Sequence, residues 1–188
     1  EHHHPAALED AWAATRWMAD EAPGPLFVGG DSAGGHLATC VAARARGTGM
    51  SVEGQLLIYP VTDLSRLDTQ SYDQFAEGYW LTGAAMEWFR GHYLGKDGDP
   101  SDPDVSPLLR GDLSGMPPAV VIAADCDVLR DEGRAYADRL EAAGCQVDYR
   151  FYEGVIHGFF AMPGAIPEGR KAIQEAGSAI RELVGMSR

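Results

Sequence analysis

Cysteine is scarce in this sequence: Cys40, Cys126 and Cys145 are the only three in 188 residues. An odd number, widely spaced and with no Cys-x-x-Cys pair, argues against a disulfide framework or a zinc site. It suits reduced thiols in a cytoplasmic protein. Basic residues are also few. Fifteen Lys and Arg against 28 Asp and Glu leave a net charge of −13. A surface that acidic repels phosphate backbones and anionic lipid, so neither nucleic acid nor a membrane surface is an expected partner. No apolar run approaches the ~18 residues of a membrane span. The opening residues do not read as a signal peptide, and there is no internal repeat or low-complexity tract. What remains is an ordinary globular composition, 45% hydrophobic and 23% charged, at a length that suits one domain over 1–188. The chain starts at Glu1 rather than Met, and a helical pattern begins almost at once, so a piece of a longer protein is expected.

The patterning is that of an α/β protein. Leu8, Ala11, Trp12, Thr15 and Ala19 recur at helical spacing from Pro5 to Ala22, and Pro23-Gly24-Pro25 stops that helix. Leu26-Phe27-Val28 reads as a short buried strand, followed by glycines and a helix over Gly34–Arg46 carrying Leu37, Cys40 and Val41. Further strands are predicted at Gln55–Tyr59, Ala119–Ala124 and Val147–Tyr152, the last alternating enough to lie nearer a sheet edge. Helices are predicted at Glu132–Ala143 and at Glu168–Val184, the latter with Ile173, Ile180, Leu183 and Val184. Apolar strands separated by helices imply a mostly parallel sheet covered on both faces. The stretch 61–116 is too long for a simple crossover and reads as a cap, with a helix near Gly83–Leu94.

Gly30-Asp31-Ser32-Ala33-Gly34-Gly35 follows a strand and opens a helix, the context that gives Gly-x-Ser-x-Gly its meaning. Ser32 is then expected on a tight turn, with backbone able to approach at Gly30 and Gly34, and the Ala33 N–H placed to stabilise an oxyanion. A glycine-rich turn with no chemistry, or a phosphate-binding turn, fits the pentapeptide alone as well. A nucleophilic serine needs a base, and the base an orienting acid. Asp125, Asp127 and Asp131 follow the third strand, and His157 follows the fourth between Ile156 and Gly158. The order Ser, Asp, His is that of α/β-hydrolases. From the residues alone the three aspartates compete, although Asp131 and Glu132 suit the first turn of the next helix.

Several strings together resemble the bacterial hormone-sensitive-lipase-like esterases of the α/β-hydrolase fold. They are Pro5-Ala6-Ala7-Leu8-Glu9-Asp10, the Gly30–Gly35 string, Tyr59-Pro60, Ser106-Pro107-Leu108, Asp127-Val128-Leu129-Arg130-Asp131-Glu132-Gly133 and His157-Gly158-Phe159. The resemblance implies Ser32 as nucleophile, Asp127 as orienting acid and His157 as general base. It also implies hydrolysis of short-to-medium acyl esters with no metal or cofactor, a small-molecule ester as partner, and a homodimer formed through the fourth strand and closing helix. Val128 stands where the family carries proline. The family's upstream His-Gly-Gly-Gly loop, which completes the oxyanion hole, does not occur in these 188 residues. The chain is therefore expected to lack the first strands of the sheet, to leave the Leu26–Val28 strand with an open edge, and to lose one oxyanion donor, at a cost of ~10²–10³ in rate.

Other side chains have blander readings. His36 is expected on a helix surface and His92 in a structural role, while His2, His3 and His4 are a weak metal signal. Tyr79, Trp80, Leu81, Met86 and Phe89 form a small core of the cap or line an acyl pocket, and Phe159 and Phe160 are pocket neighbours through His157. Two alternatives stand beside the esterase. One is an inactive fragment. The other is a ligand-binding protein on the same scaffold, like the plant gibberellin receptor, which lacks the histidine that this chain keeps. A prolyl-oligopeptidase-type peptidase fits less well, because Ala33 stands where that type carries tyrosine.

Overall fold

The computed structural model describes residues 2–186. Helix α1 spans Ala6–Glu21 and leads to strand β1, Phe27–Asp31. Helix α2, Ala33–Ala45, and strand β2, Gly54–Ile58, follow. Between β2 and the next strand lie α3 (Gln70–Phe75), α4 (Gly83–Leu94) and a 3₁₀ turn at Pro107–Leu109. Strand β3 is Ala119–Cys126, α5 is Arg130–Ala142, β4 is Val147–Ile156 and α6 is Pro167–Met186. The four strands pair in parallel in the order β1-β2-β3-β4. Among the described residues β1 and β4 are therefore the edges.

The two faces of the sheet carry separate cores. On one, Val28, Leu57 and Val121 pack with Leu8 of α1, Cys40 and Val41 of α2, and Tyr136 and Leu140 of α5. On the other, Ile58, Val120, Ile122 and Tyr152 pack with α6. The inner face of α6 is Ala172, Ala176, Ala179 and Leu183, all buried. Ile173, expected to help anchor this helix, is 41% exposed instead. Its neighbour Ala172 takes the inward position because alanine lets the helix approach the strands closely. The side chain of Val184 lies outside the described residues. A buried polar knot stiffens the first core: Tyr136 and Thr39 bond at 2.6 Å, Thr39 donates to Gln55, and Gln55 donates to the Pro117 carbonyl. Each buried polar atom in that knot has a partner, which is the condition for tolerating it in a core.

The 61–116 stretch has its own core, in which Val61, Leu64, Tyr72, Leu81, Met86, Leu94 and Val105 pack on Val128 and Leu129 from the start of α5. Ser106 pins its long loop by accepting the Leu64 N–H and donating to the Pro100 carbonyl. Thr82 caps α4 through the Ala85 N–H, as a threonine at that position commonly does.

The β1–α2 turn is the tightest feature. Ser32 has φ 55° and ψ −118°, a left-handed backbone that costs a non-glycine residue on the order of 1–3 kcal/mol. A Cβ on Gly30 would lie 2.4 Å from the Gly34 carbonyl carbon, and one on Gly35 would lie 2.9 Å from Pro60. Gly34, expected from the sequence to be a point of close approach, meets nothing within 4 Å; the crowded pair is Gly30 and Gly35. Gly30→Ala is expected to destabilise the protein by about 3 kcal/mol, since backbone must move to admit the methyl. Gly34→Ala is expected to leave stability near wild type. Urea denaturation of the two variants side by side checks the contrast.

Candidate active site

Ser32, Asp127 and His157 each lie just beyond the carboxyl end of a different strand, where parallel α/β sheets place their sites. Ser32 is held by its own backbone: its N–H donates to the Ile58 carbonyl, and its carbonyl accepts from His36 and Val61. His157 is delivered by an irregularity between β3 and β4, where Ala124 pairs with Tyr152 but Cys126 pairs with Ile156. Two extra residues on β4 include Gly154 at φ +70°, whose N–H donates to Asp125. That bend re-aims the strand's end, as bulges do.

The result is a hydrogen-bonded line. His157 Nδ1 lies 2.7 Å from Asp127 Oδ2, and His157 Nε2 lies 3.0 Å from Ser32 Oγ. Nδ1–H donates to the carboxylate, which leaves Nε2 to accept from the serine hydroxyl. Asp127 is 1% and His157 7% exposed, and the second Asp127 oxygen accepts the Leu129 N–H. The other two aspartates are engaged elsewhere. Asp125 accepts from Gly154, and Asp131 accepts the Ser71 N–H and pairs with Arg130. Ala33 is the first residue of α2, so its N–H is among the donors a helix leaves unpaired, beside the Ser32 hydroxyl.

A cleft of about 290 Å³ opens beside Ser32, lined by apolar Leu37, Val61, Leu64, Leu81, Met86 and Phe89. Leu81 is thus at the cleft, whereas Phe159 and Phe160 are not. Phe159 is fully buried on the opposite face of the sheet among Tyr59, Tyr152 and α6, and Phe160 packs against the same cluster. The turn after His157 sends the next side chains inward under the sheet rather than out over the serine. A wider depression of about 640 Å³, near Trp12, Arg16 and Met50, lies at the other end of the strands and holds no paired nucleophile and base. Among the described residues no group of three or more His, Cys, Asp or Glu could hold a metal ion, and no helix is long and apolar enough to cross a membrane.

Residues 1–161 match the family model for the alpha/beta hydrolase fold. The chain belongs to that family. It is 44% identical to the carboxylic ester hydrolase LipN of Mycobacterium tuberculosis over 172 residues, covering 85% of this chain and 46% of LipN. It is 37% identical to the ethyl acetate hydrolase of Pseudomonas putida, covering 95% of this chain and 58% of that protein. The chain thus spans about half the length of these curated relatives. Among solved structures, an ester-hydrolase from the metagenome of Lake Arreo, complexed with a bipyridine phosphonate derivative, superposes with a TM-score of 0.91 at 44% identity. It covers 98% of this chain and 60% of the other. The relatives' esterase names agree with the hormone-sensitive-lipase-like resemblance.

Two buried ionisable groups of this hydrolase fold escaped the sequence reading. His36 is 3% exposed, not on a helix surface. Its Nε2 bonds Tyr93 Oη at 3.0 Å, and Tyr93 in turn meets His4 Nδ1 at 3.1 Å. Burial, reinforced by the nearby His4, lowers the His36 pKa to about 4, so this cleft-wall histidine is neutral at pH 7. Its place four residues before buried Cys40 was the available signal.

Glu132 is the other. It does sit in the first turn of α5, but its carboxyl is buried and accepts the N–H groups of Thr62 and Asp63, while Thr62 Oγ1 donates to the Glu132 carbonyl. Glu132 thereby ties the entry of the 61–116 stretch to the helix that follows Asp127. Its second oxygen, Oε2, has no protein partner. Burial pushes its pKa up to about 8, against the lowering by the two amides. A carboxyl whose folded pKa exceeds its unfolded one contributes stability that is full below pH ~4.5 and lost as pH rises through about 8. Glu132→Gln, which mimics the neutral acid, is expected to gain stability relative to wild type as pH goes from 5 to 8.5. Thermal melts of both proteins across that range measure the widening gap.

Proposed function

We propose that the protein is a serine carboxylesterase that hydrolyses short-to-medium acyl esters through an acyl-enzyme. The observation that supports this most is the continuous line from buried Asp127 through His157 to Ser32, ending beside an apolar cleft. A serine hydroxyl already donating to an acceptor nitrogen is poised to lose its proton as it attacks.

In this reading His157 takes the Ser32 proton while Oγ attacks the ester carbonyl. Asp127 holds the imidazole in the tautomer that accepts at Nε2 and balances the charge that forms on it. The Ala33 N–H, at the positive end of α2, stabilises the oxyanion. The imidazolium returns its proton to the departing alcohol as the tetrahedral intermediate collapses to the acyl-enzyme. Water, deprotonated by His157, then attacks the acyl carbon, and the imidazolium returns that proton to Ser32 Oγ as the acid is released. Leu81, Met86 and Phe89 receive the acyl or alkyl group, and a cleft of about 290 Å³ fits a short-to-medium chain better than a long one. The 61–116 stretch acts as the cap over this cleft. The free cysteines support a reducing, cytoplasmic setting, and the edge strand β4 is where a second copy would pair in a homodimer.

Hydrolysis of p-nitrophenyl butyrate by the wild-type chain and by Ser32→Ala tests the reading. The variant is expected to lose roughly 10³-fold or more of the rate. A p-nitrophenyl phosphonate is expected to phosphonylate Ser32 as p-nitrophenolate leaves, with the adduct mapped by mass spectrometry. Turnover that survives in Ser32→Ala, or a wild type neither active nor labelled at Ser32, overturns it.

A further inference from the structure

Three independent features meet at Tyr59, a residue with no part in the chemistry above. Its backbone has φ +35°, in the left-handed region that a bulky residue rarely adopts. Its hydroxyl is buried with no protein partner, although the residue is only 2% exposed. Its ring lies 4.4 Å from the His157 ring, tilted by 51°, and 5.9 Å from the Phe159 ring. An outlying backbone and an unsatisfied hydroxyl each cost free energy, so an arrangement that keeps both calls for a compensating role.

The neighbours of Tyr59 show what it holds in register. The Ile58 carbonyl accepts the Ser32 N–H, and the Val61 N–H donates to the Ser32 carbonyl. The Tyr59 N–H itself bonds the Ile122 carbonyl of β3. A stretch of four residues thus grips the Ser32 peptide groups on both sides while packing an aromatic ring against His157. The left-handed twist at Tyr59 turns the ring out of the strand's alternation and onto the imidazole. Asp127 meets the imidazole at Nδ1 and Ser32 Oγ meets it at Nε2, and two bonds along one line leave the ring free to rock about that line. A ring packed against it at 4.4 Å limits that freedom.

We infer that Tyr59 is the positioning residue for His157: its ring is the platform that keeps Nε2 aligned with Ser32 Oγ and supports the positive charge the imidazole acquires in turnover. The inference rests on the esterase reading. A cation within about 6 Å of an aromatic face is favoured by the ring's quadrupole, so the platform acts most strongly on the protonated ring. The charged and titratable groups facing this pair are Asp127 beside His157, and Asp31 and Asp127 near Tyr59. Both carboxylates reinforce burial in raising the Tyr59 hydroxyl's pKa, so the phenol stays neutral and the platform carries no charge of its own.

Tyr59→Phe and Tyr59→Leu separate ring from hydroxyl. With p-nitrophenyl butyrate, the leucine variant is expected to lose ~10–100-fold in kcat with KM within about twofold of wild type. The acid limb of its kcat/KM profile is expected to move down by about 0.5 pH, because the protonated imidazole has lost its support. The His157 imidazole, followed by NMR with ¹³C-labelled histidine and assigned through His157→Gln, is expected to shift its titration midpoint equally. The phenylalanine variant should stay within about twofold of wild type and keep the wild-type titration. A leucine variant with wild-type kcat and titration overturns the inference, as does a phenylalanine variant impaired as badly as the leucine one. Tyr59→Met, closer in volume, replaces the leucine variant if that fails to fold. The NMR titration needs no turnover. A wild type without Ser32-dependent activity therefore sinks the esterase reading, while the titration still decides whether Tyr59 governs His157.

Discussion

A side chain at Gly30 would meet the Gly34 backbone at 2.4 Å, and one at Gly35 would meet Pro60 at 2.9 Å. This closeness lets β1 pass into α2 with a single residue between them, and that residue is Ser32. With its φ forced positive, the serine projects from the turn instead of following the strand's alternation or the helix surface. The hydroxyl therefore stands clear at the sheet's edge, beside the first unpaired N–H of α2. The same closeness brings Pro60 against the helix, which holds the residues after β2 near the turn and lets Ile58 and Val61 bond Ser32 on both sides. Geometry at Ser32 is thus set by backbone crowding, which is stiff, rather than by side-chain rotamers, which are not.

The other two members reach Ser32 by different means. Asp127 comes from the end of a central strand buried from Ala119 to Ala124 and is fixed by the Leu129 amide, which anchors it to the core beneath. His157 comes from an edge strand whose regular course would carry it past the site. The extra residues around Gly154, tied to Asp125, supply the correction. Asp125 and Asp131, which compete with Asp127 in the sequence, brace the surroundings: one holds the β4 bend, the other the start of α3 at Ser71. The three aspartates divide the work by which backbone amide each one faces.

Much of this was legible in the sequence, and the reasons it was or was not are specific. The continuous apolar runs of β2 and β3 are largely buried, and a mostly parallel sheet followed from the helices that alternate with the predicted strands. Ser32 and His157 stood out because glycine-rich turns after strands are readable from composition alone. Asp127 was not separable from its neighbours without the family resemblance, since choosing among three nearby aspartates requires knowing which carboxylate the chain turns toward the histidine. Phe159 was misplaced because adjacency in sequence does not survive a turn: Gly158, at φ +85°, reverses the chain and sends the ring beneath the sheet. His36 was misread because it was assigned to a helix surface, and the burial of Glu132 was not foreseen although its place in the first turn of α5 was. Each in fact lies four residues from a buried partner on its helix, Cys40 and Tyr136, so helical spacing put them on the inner stripe.

The two misread residues bear on the electrostatics of the site. Burying a charge without full pairing is costly, and a protein commonly avoids it by leaving the group neutral. At pH 7 His36 is neutral because its pKa lies near 4, and Glu132 is mostly protonated because its pKa lies near 8. The serine's side of the cleft therefore carries no buried positive charge at His36. On the aspartate's side Glu132, which stands five residues from Asp127 in sequence and feels both Asp63 and Asp127, adds little negative charge. Were Glu132 ionised, its field would add to that of Asp127 and hold a larger share of His157 protonated, and a ring that is already protonated cannot accept the Ser32 proton. Keeping Glu132 neutral leaves Asp127 as the carboxylate paired with the imidazole, and the want of any protein donor to Glu132 Oε2 helps to keep that carboxyl neutral.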